Sequence, residues 1–162
     1  MKTETKYPRM FWNRMSIFKF ASSLLPFLLI VGKLFSQITP SHIGAVIDGS
    51  GKALLDAPYS VYVSGNYAYV ASYSSDALEI VDITNPAAPV HAGSLTNGTG
   101  GALLGAPFSV YVSGDYAYVA SLNSDALEIV DITNPAAPVH AGSLTNGTGG
   151  ALLDAPRSVY VS

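Results

Sequence analysis

Hydrophobic and polar residues alternate in short bursts along most of this chain. Ser60 to Ser64 (SVYVS) and Tyr67 to Ser72 (YAYVAS) are rich in β-branched and aromatic residues, and Gly65-Asn66 between them is a two-residue hairpin signal. Ser74-Ser75-Asp76 marks a second turn. Ala77 to Ile83 (ALEIVDI) follows as a third strand and stops at Thr84-Asn85-Pro86, where proline brings no N–H to a ladder and restricts the residue before it. Val90 to Thr96 reads as a fourth strand. Four strands joined by tight turns predict an antiparallel meander. Side chains alternate across a sheet, so Val61 and Val63 share one face while Tyr62 takes the other, and Leu78 and Ile80 oppose Val81 and Ile83. Both faces are therefore apolar, as in a sheet stacked between neighbours. Gly, Pro, Asn and Ser recur too often here for a helical stripe.

The pattern then repeats. Ala57-Pro58, Ala106-Pro107 and Ala155-Pro156 stand 49 residues apart, and 57 to 105 differs from 106 to 154 only at 59/108, 66/115, 73/122, 74/123 and 105/154, so 44 of 49 positions match. Leu78 to Leu95 returns unchanged at Leu127 to Leu144. One supersecondary unit stacked on copies of itself predicts a propeller or a solenoid, and a four-stranded meander is the blade of a propeller. The fold class expected is all-β, made of propeller blades.

Phase sets the organisation. His42 to Asp48 aligns with His91 to Asn97, so residues 37–56 are expected to give the fourth strand of an incomplete blade, 57–105 and 106–154 two whole blades, and 155–162 the start of the next. That is about two and a half blades, against the ~4 to 8 that close a ring. Each outer face would leave on the order of 10 kcal/mol of apolar burial unmade. The expectation is a C-terminally truncated propeller, with self-association of exposed blade faces as the alternative.

The first 36 residues break the pattern. A basic stretch ends at Lys19, the uncharged run Phe20 to Gly32 holds 13 residues, and Lys33-Leu34-Phe35-Ser36 follows. Such a run fits a signal peptide and is short for a membrane span, and Pro26 weakens a spanning helix. Residues 1–36 are therefore read as an export signal cleaved near Ser36, with an uncleaved anchor as the alternative and Met15 an alternative start, and the remainder as secreted or held at the cell surface. Membrane contact is expected only through this signal segment.

Charge sharpens that reading. The formal net charge of −3 hides an asymmetry: from Gln37 onward there are two basic residues, Lys52 and Arg157, and ten acidic ones, a net of −8. So few cations disfavour nucleic-acid binding, which needs Lys and Arg to displace counterions from phosphates. The absence of cysteine excludes disulfides, thiolate metal sites and a thiol nucleophile.

Leu-Glu-Ile-Val-Asp at 78–82 and 127–131, with Ile-Thr-Asn-Pro and Ala-Pro-Val after it and Tyr-Val-Ala-Ser at 69–72 and 118–121 before it, resembles the LVIVD repeat, a propeller-blade motif of secreted and surface proteins. The resemblance covers Ile43 to Ser162. It implies the fold and a surface location and brings no shared catalytic set. Glu79 and Glu128 stand where the motif is apolar, which suggests a side chain facing solvent at a blade edge. WD and kelch signatures are absent, Trp12 being the single tryptophan.

The candidate chemical groups are mostly structural on this reading. His42, His91 and His140 recur at successive outer strands, which diverge, so a shared metal is disfavoured. Asp82 and Asp131 are turn-formers. Asp82, Thr84 and Asn85 offer oxygen ligands to calcium but lack the Asp-x-Asp-x-Asp-Gly spacing. Asn97-Gly98-Thr99 and Asn146-Gly147-Thr148 have the form of glycosylation sequons within Gly-rich turns, and Asn97 to Gly101 lacks the Lys and helix of a phosphate loop. No cofactor is expected. Near-identical blades give a would-be acid, base and nucleophile the same surroundings, which argues against catalysis unless further blades differ.

The differing positions are more informative. In a meander blade the fourth-to-first connection and the second-to-third turn open on one rim, and four of the five differences fall there. Tyr59, Tyr73, Ser74, Phe108, Leu122, Asn123 and Arg157 are thus the candidate partner-binding face, because binding surfaces are loop positions on a fixed scaffold. The function expected is an exported scaffold for binding or adhesion, its partner a protein or carbohydrate at the cell surface. The alternatives are part of a propeller enzyme with its catalytic residues in other blades, or a purely structural repeat.

Overall fold

Strand propensity and turn chemistry divide the repeat into two sheets. The computed structural model describes residues 41–162; the export signal read at 1–36 lies outside the described residues. The first sheet runs β1 (Pro58–Ser64), β2 (Tyr67–Ser72), β3 (Ala77–Asp82), β4 (Val90–Thr96), and the second β5 (Pro107–Ser113), β6 (Tyr116–Ser121), β7 (Ala126–Asp131), β8 (Val139–Thr145). Each is an antiparallel meander in chain order. These are two blades of a propeller, and beyond their strands the described residues hold only single 3₁₀ turns, at Ser50–Lys52, Thr99–Gly101 and Thr148–Gly150.

The turns follow from their residues. Gly65 takes φ 56° while Asn66 stays at negative φ, the pattern of a type II′ hairpin with glycine first. Asp76 and Asp125 adopt positive φ in the second turn, a conformation aspartate tolerates. Asp82 ends β3 by accepting the Thr84 N–H at 2.8 Å, and Asn85 accepts the Ala87 N–H at 3.1 Å. Two boundaries differ from the sequence expectation. β1 begins at Pro58 rather than Ser60, with a register shift that puts Tyr59 in a bulge, and β3 ends one residue earlier at Asp82, with one further in-register bond from the Ile83 N–H to the Asn66 carbonyl.

Alternation places the core between the blades. Tyr69, Ala71, Leu78, Ile80 and Leu95 cover one face of the first sheet. They meet Val110, Val112, Ala117, Val119, Val130 and Ile132 of the second, with Ala102 and Leu104 of the connecting segment packed in. Near-identity of the blades makes the other faces a control. Val110 and Val112 are each 5% exposed, while their repeat equivalents Val61 and Val63 are 61% and 57% exposed; Leu95 is 3% exposed and Leu144 41%.

Two flanking segments lie on those outer faces without ladder pairing. Residues 41–47 form no strand, yet Gly44 sits against Pro86 and Ala87 as Gly93 of β4 sits against Pro135 and Ala136. Residues 155–162 likewise form no strand, but the Val159 N–H donates to Ser109 Oγ at 3.3 Å, as the Val110 N–H donates to Ser60 Oγ at 3.3 Å. Each takes the place that β4 or β5 takes at the junction between the two blades.

Gly93 is a place where glycine is required by close approach. A Cβ there would stand 2.5 Å from the Pro135 carbonyl oxygen, whereas at Gly142 it would meet nothing within 4 Å. Gly93→Ala is therefore expected to cost about 1–3 kcal/mol by overpacking the blade junction, and Gly142→Ala less than about 0.5 kcal/mol. Urea unfolding of the two variants at submicromolar concentration checks this; equal losses would show that the junction is not as described.

Candidate functional site

The segment that carries the chain from β4 to β5 crosses the face of the second blade, so its backbone donors have no ladder to join. Four consecutive N–H groups are met instead by side-chain oxygens. Leu103 donates to Glu128 Oε2 (3.1 Å), Leu104 to Asn97 Oδ1 (2.9 Å), Gly105 to Ser124 Oγ (2.9 Å) and Ala106 to Asp76 Oδ1 (2.7 Å). Asn97 and Asp76 belong to the first blade, Glu128 and Ser124 to the second. The copy before it is built alike: Leu54 donates to Glu79 Oε2, Leu55 to Asp48 Oδ1 and Asp56 to Ser75 Oγ.

The glutamates overturn the expectation of a solvent-facing edge position. Glu79 and Glu128 are 0% exposed. Each carboxylate's second oxygen meets a histidine twelve residues on, Glu79 Oε1 with His91 Nδ1 at 2.6 Å and Glu128 Oε1 with His140 Nδ1 at 2.5 Å. A buried carboxylate is tolerable because both oxygens are engaged. The histidines serve as partners to these carboxylates, and among the described residues no three His, Asp or Glu side chains gather into a metal-holding group. Burial pushes the Glu79 carboxyl above its ordinary 4.5, opposed by the bonds from His91 and Leu54 and by the charge of His91, and assisted by Asp48.

The turn aspartates behave differently. Thr84 holds Asp82 below the usual carboxylate range through its hydroxyl and its N–H, and Thr133 does the same for Asp131. Each carboxylate is thereby occupied by its own turn. The Asn97 and Asn146 side chains of the sequon-like turns accept the Leu104 and Leu153 N–H groups. Ser72 and Ser121 are buried with hydroxyls that meet no partner among the described residues.

On the rim, four of the residues singled out by repeat differences come together. Tyr59 lies 5.0 Å from Tyr73 and 4.5 Å from Phe108 between ring centroids, Tyr73 lies 6.4 Å from Phe108 edge-on, and the Arg157 guanidinium stands 5.4 Å over the Phe108 ring. Positions 59, 108 and 157 are one repeat position seen three times, so the row runs from blade to blade. The bulge at Tyr59 and the positive φ of Ala57, Ala106 and Ala155 set the approach to each strand. Ser74, Leu122 and Asn123 lie in the neighbouring second-to-third turns, where their N–H groups bond to the carbonyls of Asp56, Ala106 and Gly105.

A second aromatic row was hidden by its own regularity. Tyr62 of β1, Tyr111 of β5 and Tyr160 of the final segment stack at 4.7 and 5.0 Å between centroids, and a hydrogen bond to Tyr62, with burial second, raises the Tyr111 phenol above its ordinary 10.0. A search for differences passes over an invariant position; a tyrosine at 49-residue spacing in SVYVS was the available signal. A shallow depression lined by Leu55, Pro58, Tyr59, Ser60, Val61 and Val70 belongs to the first blade's open face.

The LVIVD repeat family model matches residues 58–97 and 105–146. No curated protein matches. Among solved structures, hydrazine synthase of Kuenenia stuttgartiensis is similar at 18% identity over 75% of this chain and 28% of that one, with a TM-score of 0.49. A functionally unknown protein of Desulfotomaculum acetoxidans is similar at 21% identity over 65% of this chain and 31% of its own, TM-score 0.49. The chain thus spans less than a third of the length of these structures.

Glu79 sets a pH dependence. Because Glu79's folded value is raised, the folded state holds that proton more tightly than the unfolded chain. Its contribution is most favourable below 4.5 and is lost as pH rises through the folded value. Glu79→Gln is expected to flatten that part of the decline in urea-measured stability with pH. Glu128→Ala, which strands His140 and the Leu103 N–H, should destabilise by about 3 kcal/mol at neutral pH. A Glu128→Ala loss below about 0.5 kcal/mol would show that the carboxylate does not hold the crossover.

Proposed function

The chain belongs to the LVIVD repeat family, and from that premise we propose that it is an exported binding scaffold whose rim row of Tyr59, Tyr73, Phe108 and Arg157 engages a protein or carbohydrate at the cell surface. The observation that carries this reading is the row itself. Three rings and a guanidinium converge at repeat positions that differ from copy to copy. Aromatic rings supply contact area at little loss of side-chain freedom, and arginine adds directed hydrogen bonds, which is why these types dominate binding hot spots. Tyr59 is largely exposed, so its ring is available to a partner.

Binding is favoured over chemistry by what the acid–base groups are doing. The two Glu–His pairs are the buried titratable groups with specific partners, and each carboxylate is committed to a backbone N–H of a connecting segment. Their near-identical surroundings offer no division into acid and base. Export is supported by the basic, apolar run of residues 1–36 and by the acidic remainder.

The test is capture of the labelled full chain on arrays of glycans and surface-protein peptides, compared with a Tyr59→Ala/Tyr73→Ala/Arg157→Ala variant. Signal on a defined subset, reduced roughly tenfold or more by the triple substitution and untouched by Asn66→Asp on the opposite rim, is expected. Capture that the triple variant retains in full, or no capture above background, would overturn the reading.

A further inference from the structure

The two outer blade faces are copies of surfaces that already bind each other within the chain. The face that the second blade presents to the first carries Val110, Val112 and Val119; the first blade's outer face carries Val61, Val63 and Val70 at the same repeat positions. The face that the first blade presents to the second carries Tyr69, Leu78, Ile80 and Leu95; the second blade's outer face carries Tyr118, Leu127, Ile129 and Leu144. At every one of these positions the residue type is the same. We propose that the second blade of one copy docks on the first blade of another, head to tail, reproducing the internal blade junction between chains.

The occupant follows from complementarity seen on the page. A groove that accepts β5 at the internal junction is present again on the second blade, and residues 158–162 sit in it now. That segment reads SVYVS, the same five residues as Ser60 to Ser64 of β1. It makes no ladder, whereas β1 arrives with β2 to β4 hydrogen-bonded behind it. Docking therefore replaces an unpaired strand by its twin backed by a full sheet, and Tyr59 of the incoming copy takes the place of Arg157 beside Phe108. At the other end, the incoming blade's Pro86 and Ala87 leave Gly44 and close on Gly142, as Pro135 and Ala136 close on Gly93. The Cβ-free surface at Gly142 is what such an approach requires.

The arrangement is heterologous, so it propagates until it closes. With two blades among the described residues of each copy of this 162-residue chain and about 4 to 8 blades in a ring, closure takes about two to four copies. Docking rearranges the end of the rim row by moving Arg157 off Phe108, but it is read by mass rather than by ligand, so its failure and that of partner capture are told apart.

Sedimentation velocity of the full chain across about 1 to 100 μM, a range that registers micromolar association, should show a discrete closed oligomer. Val61→Asp/Val63→Asp blocks one face and Leu144→Asp the other, all at exposed positions, so each variant alone should be monomeric while their mixture forms a one-to-one dimer and stops. Gly142→Ala should weaken assembly at least tenfold without changing the stability of the dilute monomer. Because the chain has no cysteine, Ser109→Cys and Val61→Cys introduced on separate copies give a direct reading: oxidation should join residues 109 and 61. A wild-type chain that stays monomeric throughout overturns the proposal. So does a singly blocked variant that still associates, since that means like faces meet, and so does growth without limit or a mixed cysteine pair that fails to cross-link.

Discussion

The structure depends on satisfying the backbone of the segment that passes from one blade to the next. A ladder strand has its N–H groups met by its neighbour. A crossing strand lies over a sheet face and must be supplied from side chains, or it leaves buried donors unmade at about 1–3 kcal/mol each. Here Glu128, Asn97, Ser124 and Asp76 supply four in succession, two from each blade. The blades are thus joined by directed bonds as well as by the apolar seam of Leu78, Ile80 and Val110. The bonds set which strand lies where; the seam supplies the non-directional attraction.

That constraint explains why a glutamate stands inside an apolar strand. Its burial is costly, and the histidine next to the bulge on the neighbouring strand offsets the cost with a short bond to the oxygen that the crossover leaves free. The same device explains an internal variation. Position 48/97/146 is Asp in one copy and Asn in two, and every copy accepts a leucine N–H, because only an oxygen at that reach is needed.

Local chemistry made much of the fold legible. Period-2 alternation, Gly65-Asn66 and Thr84-Asn85-Pro86 placed the strands to within two residues, and the 49-residue period placed the sheets in a stack. The glutamates were misread because their partners are remote. His91 lies 12 residues on and the Leu54 N–H 25 residues back, so within its own strand Glu79 shows only a charge, and a lone charge reads as exposed. The rim row was legible through differences between copies, whereas the Tyr62, Tyr111 and Tyr160 row varied nowhere and gave comparison nothing to act on.

Where the copies differ follows from which atoms hold the structure. At 73/122 and 74/123 the bonds that close the turn are made by backbone atoms: Tyr73 to Ala57, Leu122 to Ala106, Ser74 to Asp56 and Asn123 to Gly105. A side chain at either position can change without disturbing them, whereas at Gly105 a Cβ would stand 2.8 Å from the Ser124 Oγ that accepts its N–H. At 59/108 the residue is bulged out of the ladder and its ring turns to the rim. By contrast Glu79, His91, Ser75 and Asp76 bond through their side chains, and each is identical in its second copy. Variation is therefore released on the rim by the same hydrogen-bond plan that forbids it in the crossover. A scaffold of this kind can alter what its rim presents without altering how its blades are joined.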